Sequence, residues 1–374
     1  EPVVVPGSST TTLPRRAAAN GAGEPRNAAD LGHAPRWPGG GCSKAVNFVR
    51  DGLWSDASQM AYTDVSEHQW MIEDEARTSA YGEALRRVVV PTDTVLDFGC
   101  GLGIMAMLAA KAGARKVYAV DRLPIIKLAQ AIALKNELDI GFVFAPHDDF
   151  ELPEKVDVIV SEWMGHFALH EGMLEHLCAA RDRHLLPGGR MVPESVTLKA
   201  ALVTEKKFHD KRCYFQTEPY GFDFSPAMPW VFSELSNEVF TRQDLLAPSV
   251  TMAHLDLVSI ERPPAFVKAE LVPGSATTVY GIAGWFDADL GGGVKLDTGP
   301  EVTHTHWEHL FFPFAEPMLV DPSRPVKLRM TPVQIDDVRT RWKWWAGDGA
   351  SERGGDDLMW QAYLRKPLAA GMMK

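Results

Sequence analysis

The sequence predicts an α/β chain in which a doubly wound parallel sheet is followed by an antiparallel β domain, sandwich or barrel. Three observations predict it. Short apolar strands alternate with helix-length segments between about residues 94 and 160. A glycine-rich turn, Gly99-Cys100-Gly101-Leu102-Gly103, joins the first of those strands to the first helix. After Pro187-Gly188-Gly189 the apolar residues alternate, as in half-buried strands.

Residues 1 to about 44 are rich in Pro, Gly, Ala and Ser and read as a disordered tail. The chain starts at Glu rather than Met, which reads as a processed or truncated form. Glu1 and Glu24 speak against a transit-peptide remnant, because such peptides are poor in acids. From Val46 to about Arg87 the pattern turns helical, and Met71 to Tyr81 reads as one stretch of helix formers with acids toward its front. These N-terminal helices occupy 45–90, closed by Pro91.

Thr94 to Phe98 is a buried strand, Ile104 to Ala112 an apolar helix, and Lys116 to Val120 a second strand stopped by Asp121. Residues 123–136 form a second helix, Gly141 to Ala145 a third strand and Val156 to Val160 a fourth. That spacing makes 91–193 a parallel sheet with helices on its faces. Ligands of such sheets bind beyond the carboxyl ends of the strands. Gly99 to Gly103, Asp121, Asp148 and Glu162 all fall there.

In the last domain, 194–374, the sets Val196/Leu198/Ala200/Leu202, Tyr280/Ile282/Gly284/Phe286 and Val326/Leu328/Met330 each alternate. Gly347, Gly349, Gly354 and Gly355 suggest a mobile hairpin loop over 345–356. Between about 204 and 232 the alternation lapses into an insertion carrying Phe208, Tyr214, Phe215, Tyr220 and Phe222. So many aromatic residues would be costly on an isolated loop, so a second copy should bury them, which predicts a homodimer.

Composition limits the function classes. With 45% hydrophobic and 23% charged residues the chain is ordinary for a soluble domain. No apolar run approaches the ~20 residues needed to cross a bilayer, so no membrane partner is expected. The net charge of −11 argues against direct nucleic-acid binding and suits a basic protein or peptide. Cys42, Cys100, Cys178 and Cys213 show no metal-ligand pairing and no secreted framework, so the expected setting is the cytosol or nucleus, with no metal.

Two acids stand out. Glu162 ends the apolar run Val158-Ile159-Val160-Ser161, and Glu171 comes nine residues later, after a largely apolar loop. Carboxylates in such company need a cation, and a planar guanidinium with several donors satisfies two at once. A structural salt bridge with an arginine of the chain would satisfy them too. In the glycine turn, Gly101-Leu-Gly103-Ile-Met-Ala106 also fits the dinucleotide fingerprint, and Asp121 lies where an acid would hold ribose hydroxyls. These residues indicate an adenosine-type cofactor without separating a nicotinamide from S-adenosylmethionine. Asp97 tips toward the latter, since its carboxylate would repel a pyrophosphate.

With these residues in place the chain closely resembles the protein arginine methyltransferases over about residues 60–340. Ser161-Glu162-Trp163-Met164-Gly165 with Glu171-Gly172-Met173-Leu174 looks like the family's double-glutamate loop. Thr305-His306-Trp307 is similar to its Thr-His-Trp loop, and Glu73-Asp74-Glu75-Ala76-Arg77 to its cofactor-covering helix. Val95 to Gly103 resembles its first methyltransferase motif, and Lys111 to Val117 continues the match. Tyr220-Gly221-Phe222-Asp223 stands in the context of its dimerisation arm.

The resemblance implies a Rossmann-like methyltransferase domain followed by a β-barrel, with S-adenosylmethionine as cofactor and S-adenosylhomocysteine as product. Arg77 would meet the cofactor carboxylate, with Gly99 and Gly101 near its methionine part and Asp97 alongside. Asp121 would hold the ribose, and His147 with Asp148 the adenine. Glu162 and Glu171 would grip the substrate guanidinium, with His306 paired to Asp74 nearby. Tyr62, Met71, Met173 and Trp307 would position the substrate. The two methionines match members that make asymmetric dimethylarginine, on Arg/Gly-rich or histone-tail substrates. Two departures bear on this. The aromatic cover reads Ser58-Gln59-Met60-Ala61-Tyr62, keeping only its last tyrosine, and His166 stands where many members have Tyr. Two alternatives stand beside the enzyme: an inactive regulatory subunit of this fold, and a small-molecule methyltransferase or nicotinamide enzyme.

Overall fold

All five residues of the parallel sheet's central strand, Thr94–Phe98 (β2), are buried, as expected of a strand covered on both faces. This computed structural model describes residues 48–49, 62, 64–246, 249–336 and 339–356. The tail at 1–44 and the Ser58–Ala61 part of the aromatic segment lie outside the described residues.

Phe48–Val49 (β1), Lys116–Asp121 (β3), Ile140–Phe144 (β4), Val156–Val160 (β5) and Leu185–Val192 (β6) complete the sheet, in the order β1-β4-β3-β2-β5-β6. Every pairing in it is parallel. The order reverses direction between β2 and β5, the switch point where such sheets open a crevice. Ser161 closes its floor by donating from Oγ to the Phe98 carbonyl at 2.7 Å.

Two helices lead into β2. Val65–Glu73 (α1) and Glu75–Val88 (α2) break at Asp74, which caps both. Its amide closes the end of α1 on Trp70, and its Oδ1 accepts from the Arg77 amide at 3.0 Å. A short acid makes a good N-cap because it satisfies amides that the helix leaves open. Phe48–Val49 is also strand, not helix, beside β4.

Ile104–Lys111 (α3), Ile126–Lys135 (α4) and Met173–His184 (α5) connect the strands. The β domain opens at Ser195–Val203 (β7). It continues with Ser236–Glu238 (β8), Val250–Asp256 (β9), Val267–Leu271 (β10), Thr277–Gly291 (β11), Val294–Asp297 (β12) and His309–Val320 (β13). Val326–Asp336 (β14), Arg339–Gly347 (β15) and Glu352–Asp356 (β16) end it. One antiparallel sheet runs β8-β13-β11-β7-β9 with β12 on β11, and a second runs β10-β14-β15-β16. β9 lies against β10 and β13 against β16, so the two sheets enclose a common core. Val196, Leu198, Ala200, Leu202, Val326, Leu328 and Met330 all point into it, as their alternation predicts.

The stretch 345–356 forms the hairpin expected there: Gly347 pairs with Glu352 and Trp344 with Gly355. A Cβ on Gly355 would stand 2.0 Å from the Trp344 ring, so this glycine makes room for tryptophan. In the insertion, Lys207–Arg212 (α6), Met228–Val231 (α7) and short 3-10 turns replace strands. Phe208 is buried in its own domain, with its ring 4.5 Å from that of Phe240, so no second copy is needed to cover it. Tyr214, Phe222 and Tyr220, the last 94% exposed, are left outside.

Candidate active site

A cavity of ≈ 430 Å³ opens beyond the carboxyl ends of β2, β3 and β5, bounded by α1 and by the β domain. Its size is that of a small-molecule site. Its floor is the glycine turn. Gly99, Gly101 and Gly103 have φ of +77°, +54° and +81°, a region that only glycine enters cheaply. The approach at Gly101 is tight, since a Cβ there would lie 2.6 Å from the His68 ring.

Asp121 shapes this turn from the end of β3. One carboxylate oxygen accepts from the Gly101 amide and the other from the Leu123 amide, each at 2.8 Å. Burial raises its pKa while those two amides oppose the rise. Asp97 accepts from the Ala106 amide at 2.8 Å in the first turn of α3. Burial pushes its carboxyl up to about 7 against the pull of that amide.

The two glutamates reach the cavity from β5 and from the 3-10 turn Leu169–Glu171. Arg77, almost fully buried, directs Nε and Nη2 at one oxygen of Glu162, at 3.2 and 3.0 Å, and Nη1 at the Met71 carbonyl at 3.0 Å. Glu171 instead accepts from the hydroxyl of Tyr62. Burial drives the Glu171 carboxyl up to about 7, with the Tyr62 hydroxyl opposing and Glu162 adding to the rise. In turn the Glu171 charge, then burial, holds the Tyr62 phenol well above its ordinary value. Gly165 permits this: with φ +49°, any Cβ there would meet Glu171 Cγ at 2.8 Å.

The β domain closes the far wall. His306 gives Asp74 two bonds, from its backbone amide and at ring Nδ1, both 2.8 Å to Oδ2. Although burial opposes it, His306 and the Arg77 amide draw the Asp74 carboxyl down to about 2. Trp307 packs its ring 4.2 Å from that of His306. His166 reaches the Trp307 carbonyl from Nδ1 at 2.5 Å and Asn237 from Nε2 at 2.9 Å, stitching the acid-bearing loop to the β domain.

Comparison with known proteins places this geometry. Residues 77–192 match the ribosomal protein L11 methyltransferase (PrmA) family, and residues 194–343 match the arginine methyltransferase oligomerization subdomain. Protein arginine N-methyltransferase 1 of Schizosaccharomyces pombe is 33% identical over 262 residues, covering 67% of this chain and 77% of the relative. The chain belongs to the protein arginine N-methyltransferase family.

Its relative of that name in Saccharomyces cerevisiae is 32% identical over 68% of this chain and 77% of its own. Among solved structures, the Trypanosoma brucei PRMT1 enzyme–prozyme heterotetrameric complex with AdoHcy superposes with a TM-score of 0.71 at 26% identity. The match covers 79% of this chain and 99% of the other. Arabidopsis thaliana protein arginine methyltransferase 10, in an open conformation, shares the fold with a TM-score of 0.67 at 24% identity, over 80% of this chain and 99% of its own.

Within this methyltransferase fold the cavity wall includes Tyr62, Met71, Arg77, Asp97, Gly99, Gly101, Asp121, His147, Glu162, Glu171, Met173, His306 and Trp307. Asp74 stands just behind it, on His306. Asp148 is the exception: it is exposed and off the cavity wall, because the chain turns there and directs His147 inward instead. Its backbone carbonyl accepts from Arg183 at 3.3 Å.

Sequence reasoning missed His68, Trp70, Arg122, Thr340 and Arg341, which also border the cavity. His68 lies three residues before Met71, one helical turn away on the same face, and could have been found from that spacing. Thr340 and Arg341 come from β15 and carry no local signal. Among the described residues no group of three or more His, Cys, Asp or Glu could hold a metal ion, and no helix is long and apolar enough to cross a membrane.

Proposed function

We propose that this protein transfers a methyl group from S-adenosylmethionine to arginine side chains of proteins, forming monomethylarginine and then asymmetric dimethylarginine. The observation that carries the reading is the convergence of Glu162 and Glu171 on the same cavity as the glycine turn and Asp121. The residues fit the cofactor. Positive-φ glycines leave its methionine part room, Asp121 keeps lone pairs for ribose hydroxyls, Arg77 offers a guanidinium to a carboxylate, and His147 faces the adenine end.

When bound, S-adenosylmethionine supplies an electrophilic methyl on a sulfonium. The chain's own task is to make an arginine nucleophilic, although its guanidinium stays protonated below a pKa of ~12. Glu162 and Glu171 accept from the in-plane N–H groups along the edges of the guanidinium, fix its plane and draw positive charge toward the bound nitrogens. Tyr62 holds Glu171 in place until the substrate arrives. Met71 and Met173 pack beside the arginine and leave room for a second methyl on the same nitrogen. His306, fixed at Nδ1 by Asp74, accepts the departing proton at Nε2 and passes it to solvent.

Arg/Gly-rich segments or histone tails are the substrates this acidic chain suits, through long-range attraction. Exposed Tyr220 and Phe222 support a homodimer formed through the 204–232 arm. A second reading, an inactive regulatory subunit, is favoured by the trypanosomal neighbour, which pairs an enzyme with a prozyme. The intact Glu162, Glu171, Arg77 and His306–Asp74 set supports the enzyme. A cytosolic or nuclear address rests on cysteine usage alone, and cell fractionation would test it.

The experiment is transfer from labelled S-adenosylmethionine to an Arg/Gly-rich or histone-tail peptide, with an Arg→Lys peptide as control and separation of the methylarginines. Asymmetric dimethylarginine is expected. Monomethylarginine alone would overturn the product class, and cofactor binding without transfer would move the assignment to the regulatory subunit.

A further inference from the structure

The two sides of the arginine end of the cavity meet at a side chain to which the proposed transfer gives no part. His166 borders the cavity from the 3-10 turn Gly165–Phe167, between Glu162 and Glu171. Its Nδ1 lies 2.5 Å from the Trp307 carbonyl, on the loop that also carries His306. Its Nε2 lies 2.9 Å from the amide nitrogen of Asn237 on β8. The backbone is strained on both sides of this contact. Ala168 stands at φ +46° on the acid-bearing loop, and Glu308, next to Trp307, stands at +50°. Residues other than glycine enter that region at a cost, and such strain gathers where a site is held in place.

The partners fix the protons of the ring. A carbonyl only accepts, so Nδ1 carries a hydrogen and donates it. The NH2 group of Asn237 only donates, so Nε2 is the bare, accepting nitrogen. The neutral ring with its hydrogen on Nδ1 satisfies both, and burial acts in the same direction by holding the His166 pKa below its ordinary value. The charged and titratable groups that face the ring are Glu308 and His306 on the β-domain loop and Glu162 on its own loop. Glu171 and, from β15, Arg341 border the same cavity. From β8 the ring meets the uncharged amide of Asn237, an exposed residue. A second proton on the ring would displace the Asn237 NH2 group and set a cation beside the place a guanidinium has to enter.

We propose that His166 is a positioning residue of the arginine subsite: its ring ties the Glu162–Glu171 loop to Trp307, and Asn237 keeps that ring uncharged so that the subsite admits a cation. The inference rests on the proposed methylation of arginine in this cavity. A tie that served only to hold the fold would have the opposite preference at position 237. An aspartate there would turn the bridge into a charge-assisted one and strengthen it. For an arginine subsite the same aspartate is harmful, because it retains a second proton on the ring. The ring borders the cavity and residue 237 does not, so the substrate would meet the positive end of that pair.

The test is Asn237→Asp, made in the unaltered protein and in His166→Asn, with peptide kinetics at saturating S-adenosylmethionine from about pH 6.5 to about pH 9. In the unaltered protein Asn237→Asp should raise the KM for an arginine peptide about fivefold or more near neutrality, with kcat changed far less. Relative to the unaltered protein, that penalty should fade as pH rises and the ring loses its second proton. In His166→Asn, where no ring can charge, the same replacement should not raise KM. Melting and S-adenosylhomocysteine binding check that the variants fold. Whether or not they do, nitrogen NMR of the full chain, with the His166 signals assigned by their loss in His166→Asn or by their coupling to Asn237, reads the ring directly. Hydrogen on Nδ1 and a bare Nε2 are expected at about pH 7. An imidazolium there, a peptide KM that Asn237→Asp leaves unchanged or lowers, or a penalty that persists in His166→Asn overturns the proposal alone. Absence of transfer by the unaltered protein overturns the arginine reading of the cavity as well.

Discussion

Arg77 sets two of its nitrogens on a single oxygen of Glu162, at 3.2 and 3.0 Å, although 85 residues separate them. One of the paired glutamates thus meets a cation of its own chain, while Glu171 meets the uncharged hydroxyl of Tyr62. The two acids of the site are electrostatically unequal before any substrate arrives. The structural salt bridge that the sequence left open as an alternative exists, and it occupies one acid only.

That inequality predicts a pH dependence. Burial raises the Glu171 carboxyl to about 7, so its charged form accumulates only above that pH. Gripping a guanidinium needs the carboxylate. The kcat/KM for a peptide should fall about tenfold per pH unit below about 7 and level off above it. The profile should be recorded at saturating cofactor, because burial places Asp97, beside the glycine turn, at about 7 as well.

Glu171→Gln keeps the shape of the side chain and removes its charge. Transfer should drop by about a hundredfold or more, as expected when an oriented charge is lost from an active site, while calorimetry shows S-adenosylhomocysteine still bound. Near-normal turnover in this variant would remove Glu171 from the mechanism.

Gly165→Ala tests positioning rather than charge. The added Cβ would fall 2.8 Å from Glu171 Cγ, at a φ of +49°. Glu171 has to move, and a displacement of about 1 Å costs roughly a hundredfold in rate. The melting temperature should change far less than the rate.

Asp74→Ala removes the cap of α2 and both bonds to His306 together. The expected cost is about 1–3 kcal/mol by denaturant titration. Asp74→Asn, which can still cap, should lose less. Because Asp74 is held at about 2, below its ordinary value, its contribution is present above about pH 4 and is lost as pH falls toward 2. Other lowered carboxylates such as Asp348 decline in the same window, so the wild-type protein should lose stability there more steeply than Asp74→Ala does.

Tyr220→Ser with Phe222→Ser should convert the expected dimer to a monomer in sedimentation, leaving the fold intact. Phe208→Ala should instead destabilise the chain itself by about 3–5 kcal/mol, since it opens a cavity in a packed core. Equal dimerisation in the double variant would place the interface elsewhere.

The fold was largely legible in the sequence, because alternation and helical spacing are local consequences of burying one face of an element. The parts misread were those where a tertiary neighbour overrides the local signal. Gly354 and Gly355 look like loop residues until Trp344 is seen to occupy the space of their missing side chains. The helix formers of 71–81 give no local sign of the break at Asp74, which is stabilised by His306, 232 residues distant.

By itself, the sequence determined the residue types of the site: positive-φ glycines beside strand-end acids, two glutamates in apolar company, and a histidine loop far along the chain. Only the tertiary structure decided which of them share a cavity. It brought Arg77 onto Glu162 and Tyr62 onto Glu171, turned Asp148 out and His147 in, and added His68, Arg122 and Arg341 to the wall. The physical reason is range. Propensity and period act over a few residues, whereas desolvation and charge depend on whatever the completed fold packs within a few ångströms of a side chain.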